Sequence, residues 1–227
     1  MNVIITGASR GIGKAITEKF HREGHSIIVC SRSEEKLKEL KDAMPSIHTF
    51  SCDVSVKKEI EQFGQYVLKT FDAVDVLINN AGVFYPGKIL EETEGCLEKM
   101  INTNLYSAYH LTRILAPKMI AQQSGYIFNM CSVASLKAYD QGGSYSISKF
   151  ALLGFSKTLR EELKEHQIKV TSILPGATLT DSWAGSNLPE NRFSKAEDIA
   201  MLVYTITQLS PFSVVEDIVI RPQLGDI

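Results

Sequence analysis

Short apolar runs alternate along the chain with longer amphipathic stretches. Val3-Ile4-Ile5, Ile27-Ile28-Val29-Cys30 and residues 48–52, 74–78, 126–130, 168–174 and 214–220 predict strands, and their near-continuous apolar character suits a sheet covered on both faces. Helices fill the intervals. Ile12, Ile16 and Phe20 share one face of a helix that Gly24 stops, and Ser33 caps a charged helix over 34–43 that Pro45 ends. Ser55 with Glu59 opens another helix, to about Phe71, and 91–122, 143–166 and 196–208 predict three more. Strands and helices alternating at this spacing call for an α/β fold: a doubly wound parallel sheet with right-handed crossovers, in three α/β/α layers. The one stretch that reads as loop is 182–194, carrying Trp183, Gly185, Pro189 and Phe193.

Composition adds bounds. The 227 residues, 44% apolar and 22% charged, suit one well-buried core and one domain spanning 1–227. A net charge of −2 and a pI near 6.2 provide no electrostatic reason for a nucleic acid or an anionic membrane as partner. No apolar run approaches the ~18 residues of a membrane span, and Met1 leads at once into a strand, so a cytoplasmic protein is expected. Cys30, Cys52, Cys96 and Cys131 are widely spaced and read as free thiols of a reducing compartment. Neither they nor the histidines show metal-ligand spacing; in His21-Arg22-Glu23-Gly24-His25 the glutamate is misplaced for a zinc helix and Gly24 would break it, so no metal is expected.

Candidate chemistry begins at the first turn, Thr6-Gly7-Ala8-Ser9-Arg10-Gly11-Ile12-Gly13. Gly7 permits a tight bend, Gly11 and Gly13 let the backbone come close, and the helix N-terminus that follows offers unsatisfied N–H groups to a pyrophosphate. A tight strand-to-helix connection is the bland alternative. Position after a first strand, inside a β-α-β unit, favours the dinucleotide site of a Rossmann-type sheet. About 20 residues on, where an Asp or Glu would accept from a ribose 2′-hydroxyl, stands Ser31, followed by Arg32. No carboxylate there repels a 2′-phosphate, and Arg10 and Arg32 supply two cations to it, so NADP(H) is the expected cofactor.

Tyr145 and Lys149 lie four residues apart, one above the other on a helix face. A fixed cation favours a phenolate, and it would draw a phenol of ordinary pKa about 10 toward the range of a general acid or base. With 8 tyrosines in 227 residues, roughly 0.6 such Tyr-Lys spacings arise by chance, so the pair gains weight from its company. That company is the glycine turn, Asn79-Asn80-Ala81-Gly82, Asn104, Ser132 after the apolar run 127–131, and Pro175-Gly176, in one order. Together these residues resemble the short-chain dehydrogenase/reductase family across nearly the whole chain.

The resemblance implies roles. Ser132 would bond the substrate oxygen, Tyr145 would pass the proton, Lys149 would bind the nicotinamide ribose and lower the tyrosine's pKa, and Asn104 would hold a water relaying protons to Lys149. Elementary chemistry agrees, since a hydride reaching a carbonyl carbon leaves an oxyanion that needs a donor and then a proton. The resemblance also implies that Ser9 and Ile12 belong to the cofactor turn, that Asp53 and Val54 frame the adenine, and that Asn80, Ala81 and Gly82 line the ribose. Beyond Pro175 and Gly176, Thr178 and Thr180 would hold the carboxamide end.

A small carbonyl or alcohol is the expected substrate, walled by Phe84, Tyr85, Tyr139, Trp183 and Phe193. The Pro175-Gly176-Ala177 segment, Trp183 and the Gly225-Asp226-Ile227 ending look similar to sepiapterin-reductase-like members, with 3-oxoacyl-thioester reductases an alternative. An NADPH-sensing binding protein without catalysis is the alternative of another class. Family members associate through the two long helices, and Leu152, Leu153 and Phe155 are candidates for such a face, so a homodimer or homotetramer is expected.

Overall fold

The computed structural model describes residues 1–183, 185–225 and 227. Ala184, in the expected 182–194 loop, and Asp226, in the 225–227 ending, lie outside the described residues. Among the described residues seven strands form one sheet: β1 (Asn2–Thr6), β2 (Ser26–Ser31), β3 (His48–Ser51), β4 (Val76–Asn79), β5 (Gly125–Met130), β6 (Ile168–Pro175) and β7 (Asp217–Ile220). Their order is β3-β2-β1-β4-β5-β6-β7 and every pairing is parallel. The chain winds outward from β1 to β3, returns to β4 beside β1, and winds the other way. The carboxyl ends of β1 and β4 therefore flank the switch point, where such sheets bind ligands.

The α-helices described are α1 (Gly11–Arg22), α2 (Glu34–Ala43), α3 (Lys57–Thr70), α4 (Cys96–Ile101), α5 (Ser107–Gln122), α6 (Gly143–Leu163) and α7 (Ala196–Thr207), and they flank the sheet. Because side chains alternate along a strand, β1 feeds both layers of core. Val3 and Ile5 pack with Ile16 and Phe20 of α1 and Ile199 and Val203 of α7, while Ile4 packs with Phe63 of α3, Leu111 and Leu115 of α5 and Leu159 of α6. The doubly wound three-layer fold is the one that the hydrophobic pattern predicts. Among the described residues no helix is long and apolar enough to cross a membrane.

Four local expectations need correction. Where the pattern predicts one helix over 91–122, residues 80–95 follow an irregular path, α4 starts only after Gly95 at φ +80°, and a π-helical turn (Asn102–Tyr106) joins α4 to α5. Glu92 is helix-forming by propensity, but its carboxylate accepts from Ser144, 52 residues on, and tertiary bonding wins. Ser55 is not the cap of α3. Its N–H and hydroxyl instead donate to Asp53 Oδ1 at 2.9 and 2.7 Å, Val56 holds the cap position, and Glu59 Oε2 accepts from the Asp53 N–H at 2.7 Å. The last strand starts at Asp217 rather than 214. Leu152 and Leu153 are core residues, packed with Leu174, and it is Ile147 and Phe150 that α6 turns outward.

Candidate active site

One groove of about 720 Å³ runs over the carboxyl ends of the strands, within the usual ~300–1,000 Å³ of ligand sites. It gathers every residue expected at the cofactor: Gly7, Ser9, Arg10, Gly11, Ile12 and Gly13 of the first turn, Ser31 and Arg32 after β2, Asp53 and Val54 after β3, and Asn80, Ala81 and Gly82 after β4. Pro175, Gly176, Thr178 and Thr180 after β6 line it too. Asn80 laces the switch point together. Its side-chain amide donates to the Thr6 and Gly7 carbonyls at 2.9 and 3.0 Å, while Thr6 Oγ1 accepts from the N–H groups of Asn80 and Ala81.

The cradle fits a dinucleotide. Gly7 has φ +67°, and a Cβ there would lie 2.8 Å from Ala81 Cα; a Cβ on Gly13 would collide with the Gly7 carbonyl. Only glycine lets these three segments meet. Arg10, in the cap position of α1, makes no side-chain capping bond, which leaves the first-turn N–H groups aimed at the groove without a side-chain partner. Near Arg10 and Arg32 the groove also gathers Lys36, from the first turn of α2, which the sequence reading missed. Asp181 reaches back from the far wall to Arg10 at 3.3 Å and Lys36 at 3.9 Å.

At the other end Ser132, Tyr145 and Lys149 converge. Ser132 follows β5 and opens a short 3₁₀ turn (Val133–Ser135), its Oγ accepting from the Ala134 N–H at 3.1 Å. Tyr145 and Lys149 stand on the first turns of α6 and line the same groove. The Lys149 ammonium donates to the Met130 carbonyl at 2.7 Å and lies 5.8 Å from the Tyr145 ring centre. Asn104 does not line the groove. It sits behind, in the π turn, accepting from the Val83 N–H at 2.7 Å and donating to the Val83 carbonyl at 3.0 Å and Ser148 Oγ at 2.9 Å. Gly82 keeps that space open: a Cβ there would lie 3.2 Å from Asn104 Oδ1 and 3.4 Å from Lys149 Nζ.

The electrostatics differ from the sequence expectation. Burial pushes the Tyr145 phenol above its ordinary value, and a hydrogen bond from Ser132 pulls partly in the other direction. Tyr145 still keeps part of its ring surface on the groove. Lys149, 4% exposed, is itself brought down to about 8 by burial and stays mostly charged at neutral pH, while burial remains the largest influence on its neighbour Tyr145. Cys131, between Met130 and Ser132, is pushed up to about 11 by burial and stays a thiol.

Phe84, Tyr139 and Trp183 wall the reaction end as expected, with Val133, Lys137 and Arg221 added. Phe84 meets the Tyr145 ring edge-on, centroids 4.8 Å apart. Two expected wall residues fall elsewhere: Tyr85 is exposed and off the groove, and Phe193 is buried behind Trp183 at 5.2 Å. Asn79 stays inside the sheet, donating to Asn129 and Thr112 between β4, β5 and α5.

A family model described as short chain dehydrogenase matches residues 1–191. An uncharacterized oxidoreductase of Staphylococcus epidermidis is 33% identical over 221 residues, 96% of each chain. Among solved structures, a metagenomic short-chain oxidoreductase in complex with NADP is 31% identical, with a TM-score of 0.87 over 99% of this chain and 98% of that one. The closed form of serine dehydrogenase complexed with NADP+ is 27% identical, with a TM-score of 0.92 over 100% and 97%. A 7α-hydroxysteroid dehydrogenase complexed with NADH and 7-oxo glycochenodeoxycholic acid is 26% identical, with a TM-score of 0.90 over 99% and 94%. The doubly wound α/β fold and these relatives define an oxidoreductase. This chain belongs to the short-chain dehydrogenase family.

Proposed function

We propose that this oxidoreductase interconverts a carbonyl and an alcohol with NADP(H), Tyr145 acting as general acid in reduction and general base in oxidation. One observation carries it: Ser132, Tyr145 and Lys149 line the same groove that begins at the glycine turn. Bound NADPH supplies the hydride. Ser132 and Tyr145 present two donors to the oxygen on which charge develops, in a partly desolvated site where such donors count most. Tyr145, held protonated at neutral pH by burial, then releases its proton to that oxygen, and Lys149 lies close enough to stabilise the phenolate left behind.

Arg10, Arg32 and Lys36 support NADP(H) over NAD(H). Two of the structural relatives carry NADP or NADP+ and one carries NADH, so the preference rests on these cations rather than on kinship. Phe84, Val133, Tyr139 and Trp183 suit a substrate with an apolar body. Tyr106 of the π turn, Tyr109 of α5 and Ile147 and Phe150 of α6 are all exposed, which supports self-association through these elements.

The decisive experiment is Tyr145→Phe assayed by NADPH consumption across aldehydes, diketones, quinones and 3-oxoacyl thioesters, with NADH in parallel. Turnover should fall by about 10²–10⁴ while NADPH binding, followed by fluorescence, stays within about twofold. Near-wild-type turnover would remove Tyr145 from the reaction.

A further inference from the structure

The irregular segment 80–95 is tied to the start of α6 at successive points. Its Gly87 N–H donates to the Gln141 carbonyl at 3.0 Å, and its Phe84 ring packs on Tyr145. Between them, Glu92 grips Ser144 with both carboxylate oxygens: Oε1 accepts the Ser144 N–H at 2.8 Å and Oε2 accepts the Ser144 hydroxyl. Ser144 is 3% exposed and Glu92 half-buried, so this is a partly shielded bond at a helix end.

That helix end needs holding. Gln141 has φ +59°, a left-handed conformation uncommon for a residue with a side chain, and Gly143 has φ +28°. A Cβ on Gly143 would strike the Glu92 carboxylate and the Gly87 carbonyl. Gly142, in the cap position, offers no side-chain cap, so the Glu92 carboxylate does the capping from 52 residues away.

The spacing gives the cap its importance. Glu92 holds Ser144, and Asn104, in the π turn beyond α4, holds Ser148 at 2.9 Å. Ser144 and Ser148 lie one turn apart on α6, and the residues that immediately follow them are Tyr145 and Lys149. Two side chains, one from the 80–95 segment and one from the π turn after α4, thus clamp successive turns of the helix that presents the phenol and the ammonium.

We propose that Glu92 is a positioning residue for the reaction, fixing the first turn of α6 so that the Tyr145 hydroxyl meets Ser132. This rests on Tyr145 being the proton donor. A shift of the order of 1 Å in a reacting group can cost 10²-fold in rate, so even slight loosening of the first turn should register in kcat. The cofactor's phosphates, held at the other end of the groove, should not sense it.

The test is steady-state kinetics of Glu92→Ala, Glu92→Gln, Ser144→Ala and the Glu92→Ala/Ser144→Ala pair with a carbonyl that the wild type reduces, beside an NADPH fluorescence titration. Glu92→Ala should lower kcat by about 10–100-fold with the NADPH Kd within about twofold. Glu92→Gln, which keeps an acceptor for the Ser144 N–H, should recover most of the loss. The double variant should be no worse than the poorer single, because both remove the same bond. A wild-type kcat for Glu92→Ala, multiplying losses in the double variant, or NADPH binding that falls in step with kcat would each overturn the inference. Tyr145→Phe run alongside reads the proton-transfer assignment separately: inactive Tyr145→Phe with fully active Glu92→Ala sinks only the role of Glu92.

Discussion

Lys149 donates to the Met130 carbonyl at 2.7 Å, so the buried end of this lysine is tied to the last residue of β5. Burial still dominates its titration, bringing it from 10.5 down to about 8. As pH rises through 8 the folded protein sheds this proton while the unfolded chain keeps it to about 10.5. The unfolded state then binds more protons, and stability must rise with pH across that window. At about 1.4 kcal/mol per pH unit of displacement the gain is roughly 3 kcal/mol. Urea denaturation of wild type and Lys149→Met at pH 7 and pH 10 should show their stability difference moving by that amount in favour of the wild type at high pH. A pH-independent difference would mean that the lysine is not desolvated.

Ser132 works on Tyr145 in the opposite sense to burial, its hydrogen bond favouring the phenolate. Ser132→Ala should therefore raise the tyrosine's pKa further. Reduction needs the phenol, so its decline on the alkaline side should move to higher pH; oxidation needs the phenolate, so its rising limb should move the same way. Loss of one donor to the developing oxyanion should also cost about 10²–10³ in kcat. Profiles of both directions decide it, and a limb moving toward lower pH would contradict the assigned hydrogen bond.

The parts of the site that sequence makes legible are those set by local geometry. Gly7, Gly11 and Gly13 announce a close backbone approach, and Tyr145 with Lys149 announces one helix face, because both depend on neighbours within a turn. The strands are legible because burial on both faces demands continuous apolar runs such as 27–30. What escapes is decided by distant partners. Glu91, Glu92 and Glu94 have helical propensity, yet Glu92 is taken by Ser144 and Gly95 adopts φ +80°. Lys36 faces Asp181 across the groove, a partner 145 residues on that no local spacing announces. The sign of the Tyr145 shift depends on how completely β5, α6 and the 80–95 segment enclose it, which no spacing reveals.

Asp181 bridges Arg10 and Lys36, the two cations that the NADP(H) proposal assigns to a 2′-phosphate. All three side chains are about half exposed, so each ion pair is worth about 0–1 kcal/mol and is screened by salt. Asp181→Asn should remove a competitor for those cations and tighten NADPH by up to about fivefold at low ionic strength. Lys36→Met should weaken NADPH. Neither change should alter NADH, which lacks the phosphate, and equal shifts for both cofactors in a fluorescence titration would place the 2′-phosphate elsewhere.

Gly13 and Gly154 make opposite forecasts for the same substitution. A Cβ on Gly13 would meet the Gly7 carbonyl and the Asn80 amide, and backbone at the switch point cannot rotate aside. Gly13→Ala should force β1, α1 and Asn80 apart, costing about 1–3 kcal/mol as overpacking does and abolishing NADPH binding with it. Gly154 lies on an exposed face of α6, and a Cβ there would have nothing within 4 Å. Gly154→Ala should stabilise by about 0.4–1 kcal/mol, because it restricts the unfolded chain and suits the helix. For a chain of this size that corresponds to roughly 1–4 °C in Tm, upward for Gly154→Ala and further downward for Gly13→Ala. Thermal melts with and without NADPH separate the two effects: the cofactor should raise the Tm of wild type and Gly154→Ala but not that of Gly13→Ala. A Gly13→Ala protein that melts like the wild type and is stabilised by NADPH would show that the glycine turn is not the close approach on which the cofactor site is built.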